Sequence, residues 1–224
     1  MTAPAPSPQQ WAETDHYFEA RLLADDPVLA AVMAANQAAG LQAIDVSPLQ
    51  AHFLALMVRI SAARRILEIG TLGGYSAISM ARALPDDGVL VTLELDPETA
   101  AVAIDNIAAA GLSERIAVRV GAALDTLPEL EGEAPFDLIF IDADKRNNAA
   151  YTDWAVKLAR PGSVIIVDNV VRGGAIIDPD KSDPHTAGNR ALADMLHNHP
   201  QLDATALQTV GVKGWDGFVM AVVR

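Results

Sequence analysis

The stretch ILEIGTLGGYS, residues 66–76, decides the predicted fold because it joins a short apolar run to a glycine loop and then to a helix. The apolar residues predict a buried strand that ends at Gly70, and the helix begins after Gly73 and Gly74. Glycines at this place let the backbone turn sharply and let a ligand approach it closely. The spacing differs from G-x-G-x-x-G, so the fingerprint of a pyrophosphate-binding loop is absent.

Similar apolar runs, each followed by a helical stretch, recur along the rest of the chain. Their apolar residues do not alternate with polar ones, which is typical of parallel strands covered on both faces by helices. Residues 204–223 predict a hairpin that adds one antiparallel strand. We therefore predict a doubly wound α/β fold with a mostly parallel sheet. The predicted strands cover residues 65–70, 89–95, 115–121, 136–142 and 163–169, and the predicted helices cover residues 74–84, 97–110, 122–130 and 147–159.

Apolar residues at helical spacing predict three helices before the first strand. Two of them lie within residues 9–40 and are separated by Asp25-Asp26-Pro27, and the third runs from Ser47 to about Ala62. Ser47 is a typical N-cap, and the proline after it suits the first turn of a helix. We predict a single domain over residues 1–224, made of a disordered tail (1–8), N-terminal helices (9–62) and an α/β core (63–224).

The composition limits the classes of protein to consider. The chain has 224 residues, of which 51% are hydrophobic, so it is long enough for one sizeable core. Its formal charge of −13 argues against a nucleic-acid partner, because phosphate backbones are bound by Lys and Arg. No cysteine is present, and neither a secretory leader nor an apolar run of roughly 18 residues occurs. We therefore expect a soluble, cytoplasmic protein with no membrane partner.

An acidic residue follows the glycine loop at the distance expected for a nucleoside site. Glu94 ends the second predicted strand, 24 positions after Gly70. An acid at this place can accept hydrogen bonds from both ribose hydroxyls. Without a pyrophosphate fingerprint, the pattern indicates an adenosine with no diphosphate, as in S-adenosylmethionine, whose sulfonium cation is favoured by nearby carboxylates. The alternative is that Glu94 is an exposed acid at a strand end and Gly73-Gly74 a tight turn.

Polar side chains also end the fourth and fifth predicted strands. Asp142 and Asp144 end FDLIFIDAD, and Asp168 and Asn169 end SVIIVDN. Neighbouring strands lie about 5 Å apart, so carboxylates at adjacent strand ends repel each other unless a cation lies between them. Two carboxylates and an amide oxygen favour Mg²⁺, or Mn²⁺ or Ca²⁺, over zinc. The alternative is that Asp142 and Asp168 cap the helices that follow the strands.

Lys145 lies three positions after Asp142 and can face the same cleft. It is either a surface lysine that neutralises the acidic cluster or a partly buried general base that works near neutral pH beside a cation. The residues alone leave both roles open.

Four motifs together resemble one family. They are ILEIGTLGGYSAISMARAL (66–84), LELDPETA (93–100), DADK (142–145) and DNVVRGG (168–174). Over roughly residues 45–224 the chain is similar to the cation-dependent class I O-methyltransferases, which include catechol O-methyltransferase and the caffeoyl-CoA O-methyltransferases. The resemblance implies the Rossmann-like fold of class I methyltransferases, with a seven-stranded sheet, an antiparallel C-terminal strand and extra N-terminal helices.

The resemblance also implies a reaction and the residues that carry it. The expected enzyme transfers a methyl group from S-adenosylmethionine to a hydroxyl of a catechol-like phenol, assisted by Mg²⁺ or a similar cation, and is a homodimer. Lys145 matches the general base of the family, and Asp142, Asp168 and Asn169 match the metal ligands. The positions that match contacts to S-adenosylmethionine are Val46, Glu68, Gly70, Thr71, Ser76, Glu94, Ala123, Asp142 and Asp144.

Two positions depart from the plant enzymes of the family. Arg172 stands where a bulky aromatic residue is common, and Asn148 stands where a tyrosine often occurs. Both are expected to border the acceptor pocket, so they argue against the plant substrate and indicate a bacterial-type member. We expect the acceptor to contact the N-terminal helices (about 9–45) and residues 172–190, whose Gly, Pro and Asp content suggests a mobile lid.

Other functions compete with this interpretation. An NAD-dependent dehydrogenase could use a similar sheet, but the glycine spacing and the acids near the loop disfavour a diphosphate. A non-catalytic nucleoside-binding relic of the fold would have no need of Asp142, Lys145, Asp168 and Asn169 together. A Ser-His-Asp hydrolase is disfavoured because GGYSA lacks the G-x-S-x-G motif. The sequence leaves open the acceptor, the cation and the regiospecificity.

Overall fold

Three helices come first in the computed structural model, which describes residues 6–224. They are α1 (Pro8–Leu22), α2 (Pro27–Ala38) and α3 (Pro48–Ile60). Each begins with a proline directly after its N-cap residue, which is Ser7, Asp26 or Ser47. The side-chain oxygen of each N-cap accepts a hydrogen bond from a backbone N–H group of the first turn. The start of α3 confirms the predicted cap at Ser47, whereas the caps of α1 and α2 were not predicted.

Seven strands form one sheet. They are β1 (Arg65–Ile69), β2 (Val89–Glu94), β3 (Ile116–Val120), β4 (Phe136–Ile141), β5 (Ala159–Asp168), β6 (Leu202–Gly211) and β7 (Gly214–Val223). Their order is β3-β2-β1-β4-β5-β7-β6. The strands β1 to β5 are parallel, and β7 is antiparallel to its neighbours β5 and β6. This order confirms the predicted mostly parallel sheet with an antiparallel C-terminal strand.

Helices cover both faces of the sheet. The remaining ones are α4 (Tyr75–Ala81), α5 (Pro97–Ala109), α6 (Ala123–Thr126), α7 (Asn148–Leu158) and α8 (Pro184–Leu196), with 3-10 helices at Leu127–Glu133, Lys145–Asn147 and Ala175–Ile177. Successive strand residues point to opposite faces. In β1, Ile66 therefore belongs to the buried cluster that contains Leu54 of α3, whereas Leu67 belongs to the cluster that contains Tyr151 of α7.

The strand order reverses between β1 and β4, which lie side by side in the sheet. The crevice beyond the carboxyl ends of such strands is where open α/β sheets bind ligands. Gly70 follows β1 at this point with a φ of +100°, and a Cβ there would lie 2.2 Å from the carbonyl oxygen of Asp142. Glycine therefore allows the loop after β1 to pack against the end of β4.

Two predicted elements differ from the structure. The helix predicted over residues 122–130 is α-helical only in α6 and continues as a 3-10 helix, because Pro128 has no N–H for an α-helical hydrogen bond. The loop predicted over residues 172–190 is wrong from Pro184 onward, where α8 begins. Arg190 ties the earlier part of this segment to α8 by donating hydrogen bonds to four of its carbonyl oxygens.

The N-terminal tail is described only in part. Of the residues predicted to be disordered, 1–5 lie outside the described residues, and Pro8 already belongs to α1. Within residues 6–224, no helix combines the length and the apolar character that crossing a membrane requires.

Candidate functional site

Two cavities meet beyond the carboxyl ends of the central strands. The first has a volume of about 1190 Å³ and extends from the glycine loop to the end of β4. The second has a volume of about 480 Å³ and lies between α3, the end of β5 and the β6–β7 turn. Asp142 and Asn169 line both cavities. Ile44, Asp45 and Val46 also line both, so these five residues form the wall that the two cavities share.

Most of the predicted cofactor residues lie together in the first cavity. Glu68 is the exception, and its place behind the loop is described below. Lys145 also lines this cavity. The predicted residues that line it are Val46, Gly70, Thr71, Ser76, Glu94, Ala123, Asp142 and Asp144.

Glu94 connects the end of β2 to the glycine loop. Its Oε2 accepts hydrogen bonds from the backbone N–H groups of Thr71 and Leu72, at 3.3 and 2.9 Å. Its Oε1 accepts one from the N–H of Asp96 at 3.1 Å. Carboxylate oxygens have several acceptor positions, so Glu94 can fix the loop and still bind the hydroxyls of a ligand. Glu94 is half-buried, so it is not the exposed acid at a strand end that the alternative describes.

A buried amide network supports the same loop, and the sequence interpretation missed it. Asn106 of α5 donates hydrogen bonds to the carbonyl oxygen of Gly73 at 2.9 Å and to Oδ1 of Asn36 at 3.0 Å. Asn36 of α2 donates in turn a hydrogen bond to the carboxylate of Asp45 at 2.9 Å. Asp45 directly precedes Val46, which lines the first cavity. Burial raises the pKa of the Asp45 carboxyl. The available signal was the asparagine within the apolar stretches VMAAN and AIDNIAA of the two helices.

Glu68 lies behind the loop and does not reach either cavity. It is fully buried, and it accepts hydrogen bonds from the hydroxyls of Ser76 at 2.5 Å and Thr92 at 2.6 Å. Burial raises the pKa of Glu68 to about 8, and the charges of Asp142 and Glu94 act in the same direction. Glu68 therefore contacts the first cavity through Ser76 rather than directly.

Glu68→Gln is expected to flatten the pH dependence of the stability of the ligand-free protein. The folded protein keeps the Glu68 proton up to a pKa of about 8, whereas the unfolded chain loses it near the ordinary value of 4.5. The contribution of Glu68 to stability is therefore complete below this ordinary value and is lost as the pH rises through the folded pKa. Urea unfolding of both proteins at about pH 5 and about pH 8 measures the difference. Equal pH slopes in the two proteins would contradict this expectation.

The two strand-end carboxylates lie side by side. The strands β4 and β5 pair with Ile141 beside Val167, and the next residues along them are Asp142 and Asp168. Asp168 is 4% exposed, and burial together with the negative charge of Asp142 raises its pKa to about 7. Its Oδ2 accepts a hydrogen bond from Nε2 of Gln50 in α3 at 2.6 Å. Two carboxylates therefore share a poorly solvated edge of the sheet.

Lys145 is not a surface lysine, because it is 6% exposed. Its Nζ donates to Oδ1 of Asp142 at 2.5 Å, so it neutralises this carboxylate from a buried position. The alternative that Asp142 caps the next helix fails, because the residue before the 3-10 helix Lys145–Asn147 is Asp144, and no side chain caps that helix. A buried ammonium group beside a strand-end carboxylate is placed for proton transfer in the cleft.

Asn169 and Asp144 complete the strand ends. Asn169 has a φ of +55°, a left-handed conformation that asparagine adopts more readily than most residues, and its N–H donates to Asp168 at 2.8 Å. The carboxylate of Asp144 accepts a hydrogen bond from the hydroxyl of Tyr151 on the side of the first cavity. The two aspartates of the DADK motif therefore differ: Asp142 lines both cavities, and Asp144 lines the first.

Two expectations about the acceptor pocket need correction. Asn148 does not border it, because this residue is fully buried at the start of α7 and donates to Asn189 of α8 at 2.7 Å. Residues 172–190 contribute Arg172 and His185 to the first cavity, and none of them is among the described residues that line the second. The β6–β7 hairpin, from 209 to 218, lines the second cavity instead. The sequence pattern predicted this hairpin but gave no sign that it reaches the site.

The oxygen atoms at the strand ends suit a hard dication. Within residues 6–224, no group of three His, Cys, Asp or Glu side chains is placed to hold a metal. A set of two carboxylates and one amide oxygen, from Asp142, Asp168 and Asn169, is nevertheless the kind that binds Mg²⁺ with further positions left for water or substrate. Burial and the negative charge of Asp142 raise the pKa of Asp168, so added positive charge at this edge would stabilise its carboxylate form.

Comparison with known proteins agrees with this geometry. The family model described as O-methyltransferase matches residues 20–221. A catechol O-methyltransferase of Mycobacterium tuberculosis is 53% identical over 212 residues, which cover 95% of this chain and 96% of that protein. One of Niastella koreensis is 47% identical over 218 residues, covering 96% and 99% of the two chains.

A solved structure of the O-methyltransferase of Bacillus cereus, in complex with SAH (S-adenosylhomocysteine), superimposes with a TM-score of 0.95. Its sequence is 52% identical, and the alignment covers 97% of this chain and all of that one. These findings confirm the resemblance that the four motifs indicated. Since the family model spans most of the sequence and the relatives align over nearly their whole length, the chain belongs to the O-methyltransferase family.

Proposed function

We propose that the protein transfers the methyl group of S-adenosylmethionine to a hydroxyl of a catechol-like phenol, with the assistance of a divalent cation. The observation that carries the proposal is the meeting of two cavities at Asp142 and Asn169, where a methyl group can pass from one ligand to the other. The names of the bacterial catechol O-methyltransferases and the SAH complex of the Bacillus cereus relative support the two substrates.

S-adenosylmethionine supplies the methyl group that is transferred. The first cavity suits it because Glu94 can accept hydrogen bonds from ribose hydroxyls and Gly70 leaves the backbone open to a ligand. The carboxylates of Glu94, Asp142 and Asp144 line the same cavity and attract a sulfonium cation. The buried network around Asn36 holds the glycine loop in the shape that this binding requires.

Asp142, Asp168 and Asn169 would hold Mg²⁺, or Mn²⁺ or Ca²⁺, through their oxygen atoms. Such a cation lowers the pKa of a phenolic hydroxyl that approaches it. The chain keeps the two carboxylates in place through the hydrogen bonds from Lys145 and Gln50. The raised pKa of Asp168 supports this assignment, because a cation relieves the repulsion between neighbouring carboxylates.

Lys145, in its neutral form, accepts the proton of the hydroxyl that is methylated. Its Nζ bonds to Asp142, which lines both cavities, and Lys145 itself lines the first. The other residues of the site then accelerate the reaction mainly by aligning the acceptor hydroxyl with the methyl group. Holding the hydroxyl oxygen in line with the methyl carbon is worth up to roughly 7–11 kcal/mol in well-oriented reactions.

The second cavity favours a small phenol over an acyl-CoA ester. The rings of Phe53 and Phe218, with centroids 5.2 Å apart, give it an apolar wall for an aromatic ring. The charged residues away from the strand ends are three aspartates and one lysine, namely Asp15, Asp45, Asp216 and Lys213. This excess of negative charge repels the phosphates of a CoA ester. Asp15 belongs to α1, and Asp45 lies shortly before α3. Both fall within residues 9–45, the region predicted to contact the acceptor.

We also propose that the protein is a homodimer. α1 has no buried residue, and Tyr17, Phe18 and Leu22 on it remain exposed. The outer strand β6, which α1 contacts, also exposes the apolar residues Leu207 and Val210. Apolar residues exposed together on one copy support an interface with a second.

The test is a methyl-transfer assay with radiolabelled S-adenosylmethionine, a free catechol and Mg²⁺. Methylated catechol is expected, and excess EDTA is expected to abolish its formation while SAH still binds by calorimetry. Persistence of SAH binding shows that the protein remains folded without the cation. Full activity in excess EDTA would remove the cation from the proposal. SAH binding without turnover on any vicinal diol would instead favour a non-catalytic relic of the fold.

A further inference from the structure

The helix α8 packs directly against the segment that carries Lys145. A Cβ at Gly188 would lie 2.2 Å from the carbonyl oxygen of Lys145 and 2.5 Å from Cα of Arg146. Any other residue would push α8 away from the 3-10 helix Lys145–Asn147. The backbone of α8 at Gly188 therefore packs directly against the backbone of the Lys145 segment.

The next residue of α8 contacts the other half of the site. Asn189 is 3% exposed, and its Nδ2 donates to the carbonyl oxygen of Asn169 at 2.9 Å. Its Oδ1 accepts a hydrogen bond from Nδ2 of Asn148 at 2.7 Å. Because the carbonyl oxygen of Asn169 can only accept, the amide of Asn189 is oriented with its Nδ2 toward Asn169, and its Oδ1 then accepts the hydrogen bond from Asn148. Two consecutive residues of α8 thus contact the backbone of Lys145 and of Asn169.

Asn169 needs such support because its φ of +55° is uncommon for a residue other than glycine. The N–H of Asn169 donates a hydrogen bond to Asp168. The N–H of the next residue, Val170, donates one to the carbonyl oxygen of Gly217 at 3.0 Å. The carbonyl oxygen of Asn169 is held by Asn189. Asp168 is itself part of the proposed cation site, whereas Asn189 lines neither cavity. The contact from Asn189 can therefore remain the same whether or not a cation binds.

We infer that Asn189, which also accepts a hydrogen bond from Asn148, is a positioning residue that holds Asn169 in the conformation in which its side chain binds the cation. Through Gly188, the same helix fixes the distance between Asn169 and Lys145. The inference rests on the proposed function, because it takes Asn169 as a cation ligand. It gives α8, which begins within the segment 172–190, a structural role in the site.

Asn189→Asp is the sharpest variant because it keeps the shape of the side chain and removes the donor to Asn169. The dissociation constant of Mg²⁺, measured by calorimetry on the SAH-bound protein, is expected to rise roughly 10- to 100-fold. The affinity for SAH is expected to stay unchanged, since Asn189 lies outside the first cavity. Saturating Mg²⁺ is expected to restore most of the methyl-transfer rate. A general loss of structure would weaken SAH and Mg²⁺ binding together.

Thr186→Val is the matched control on the same helix. Thr186 is as deeply buried as Asn189, and its hydroxyl bonds to Asp183 at the start of α8 rather than to the site. This variant is expected to lower the melting temperature without changing the Mg²⁺ affinity. If Asn189→Asp does not fold, Asn189→Ala removes the same donor without adding a charge, and the same measurements apply.

Wild-type affinity for Mg²⁺ in the folded Asn189 variants would overturn the positioning role and leave the proposed function intact. An equal loss of Mg²⁺ affinity in Thr186→Val would also overturn it, because the effect would then follow from helix stability alone. A wild-type protein that binds SAH but no divalent cation would overturn both the inference and the cation requirement.

Discussion

Replacing Asp168 by alanine is expected to abolish methyl transfer while SAH still binds. Asp168 lines the second cavity and not the first, so its loss leaves the nucleoside site unchanged. It is one of two carboxylates in the proposed cation site, and removing it is expected to weaken Mg²⁺ binding by at least about 100-fold. Calorimetry with Mg²⁺ and with SAH, together with the radiolabel assay, measures the three quantities separately.

Asp137→Ala provides the matched control for Asp168→Ala. Asp137 is also a buried aspartate of the sheet, but it lies at the opposite end of β4, where Arg160 and the N–H groups of Arg64 and Arg65 bind it. Its removal is expected to lower stability and to leave the Mg²⁺ affinity unchanged. If Asp168→Ala retains activity that Mg²⁺ stimulates, Asp168 is not a ligand and the cation lies elsewhere in the cleft.

The position of the site in the fold could be predicted from the sequence, because it depends on local sequence patterns. An apolar run that ends in acids predicts a central strand with polar groups at its carboxyl end. Consecutive parallel strands are often neighbours, and the observed pairing of β4 with β5 brings Asp142 beside Asp168 as expected. Glu94 lies beside the glycine loop for the same reason, because β1, which precedes the loop, pairs with β2, which ends at Glu94.

The parts that the sequence did not predict depend on contacts between distant elements. Asn148 was expected at the acceptor pocket, but its direction is set by α8, which packs over the start of α7. Residues 172–190 were interpreted as a loop from their Gly, Pro and Asp content, although Asp183 and Pro184 are also the residues that begin a helix. No local pattern shows that Gly188 allows a close approach to the Lys145 segment, because its partner lies 43 positions earlier in the chain.

The dehydrogenase alternative has no support from the comparisons, because the family model and the relatives are O-methyltransferases. The relic alternative is weakened by the burial of Lys145 and Asp168, since burying charged groups costs stability unless they are paired or used. Stability alone would favour apolar residues at both positions. Lys145 lines the first cavity and Asp168 lines the second, on either side of Asp142, which lines both. This placement argues for chemistry, and it makes Lys145 the decisive residue.

Lys145→Met is expected to lower kcat by about 10²- to 10⁴-fold, because the variant has no group that can accept the proton of the acceptor hydroxyl. Its affinity for Mg²⁺ is expected to be unchanged or higher, since the ammonium group no longer competes for the carboxylate of Asp142. SAH binding is expected to persist. Rates at saturating Mg²⁺ and catechol, with calorimetry for both ligands, separate the loss of a base from a loss of binding.

Lys145→Arg then distinguishes a base from a counter-charge. Arginine keeps the positive charge beside Asp142 but does not give up a proton in proteins, so it cannot serve as the base. The arginine variant is therefore expected to be as slow as the methionine variant. If it instead restores wild-type turnover, the role of Lys145 is to neutralise Asp142, and the proton of the acceptor leaves by another route, such as solvent in the second cavity. A bell-shaped pH profile of kcat in the wild type that loses one limb in Lys145→Met would agree with the base assignment, because that limb reports the ionisation of the group removed.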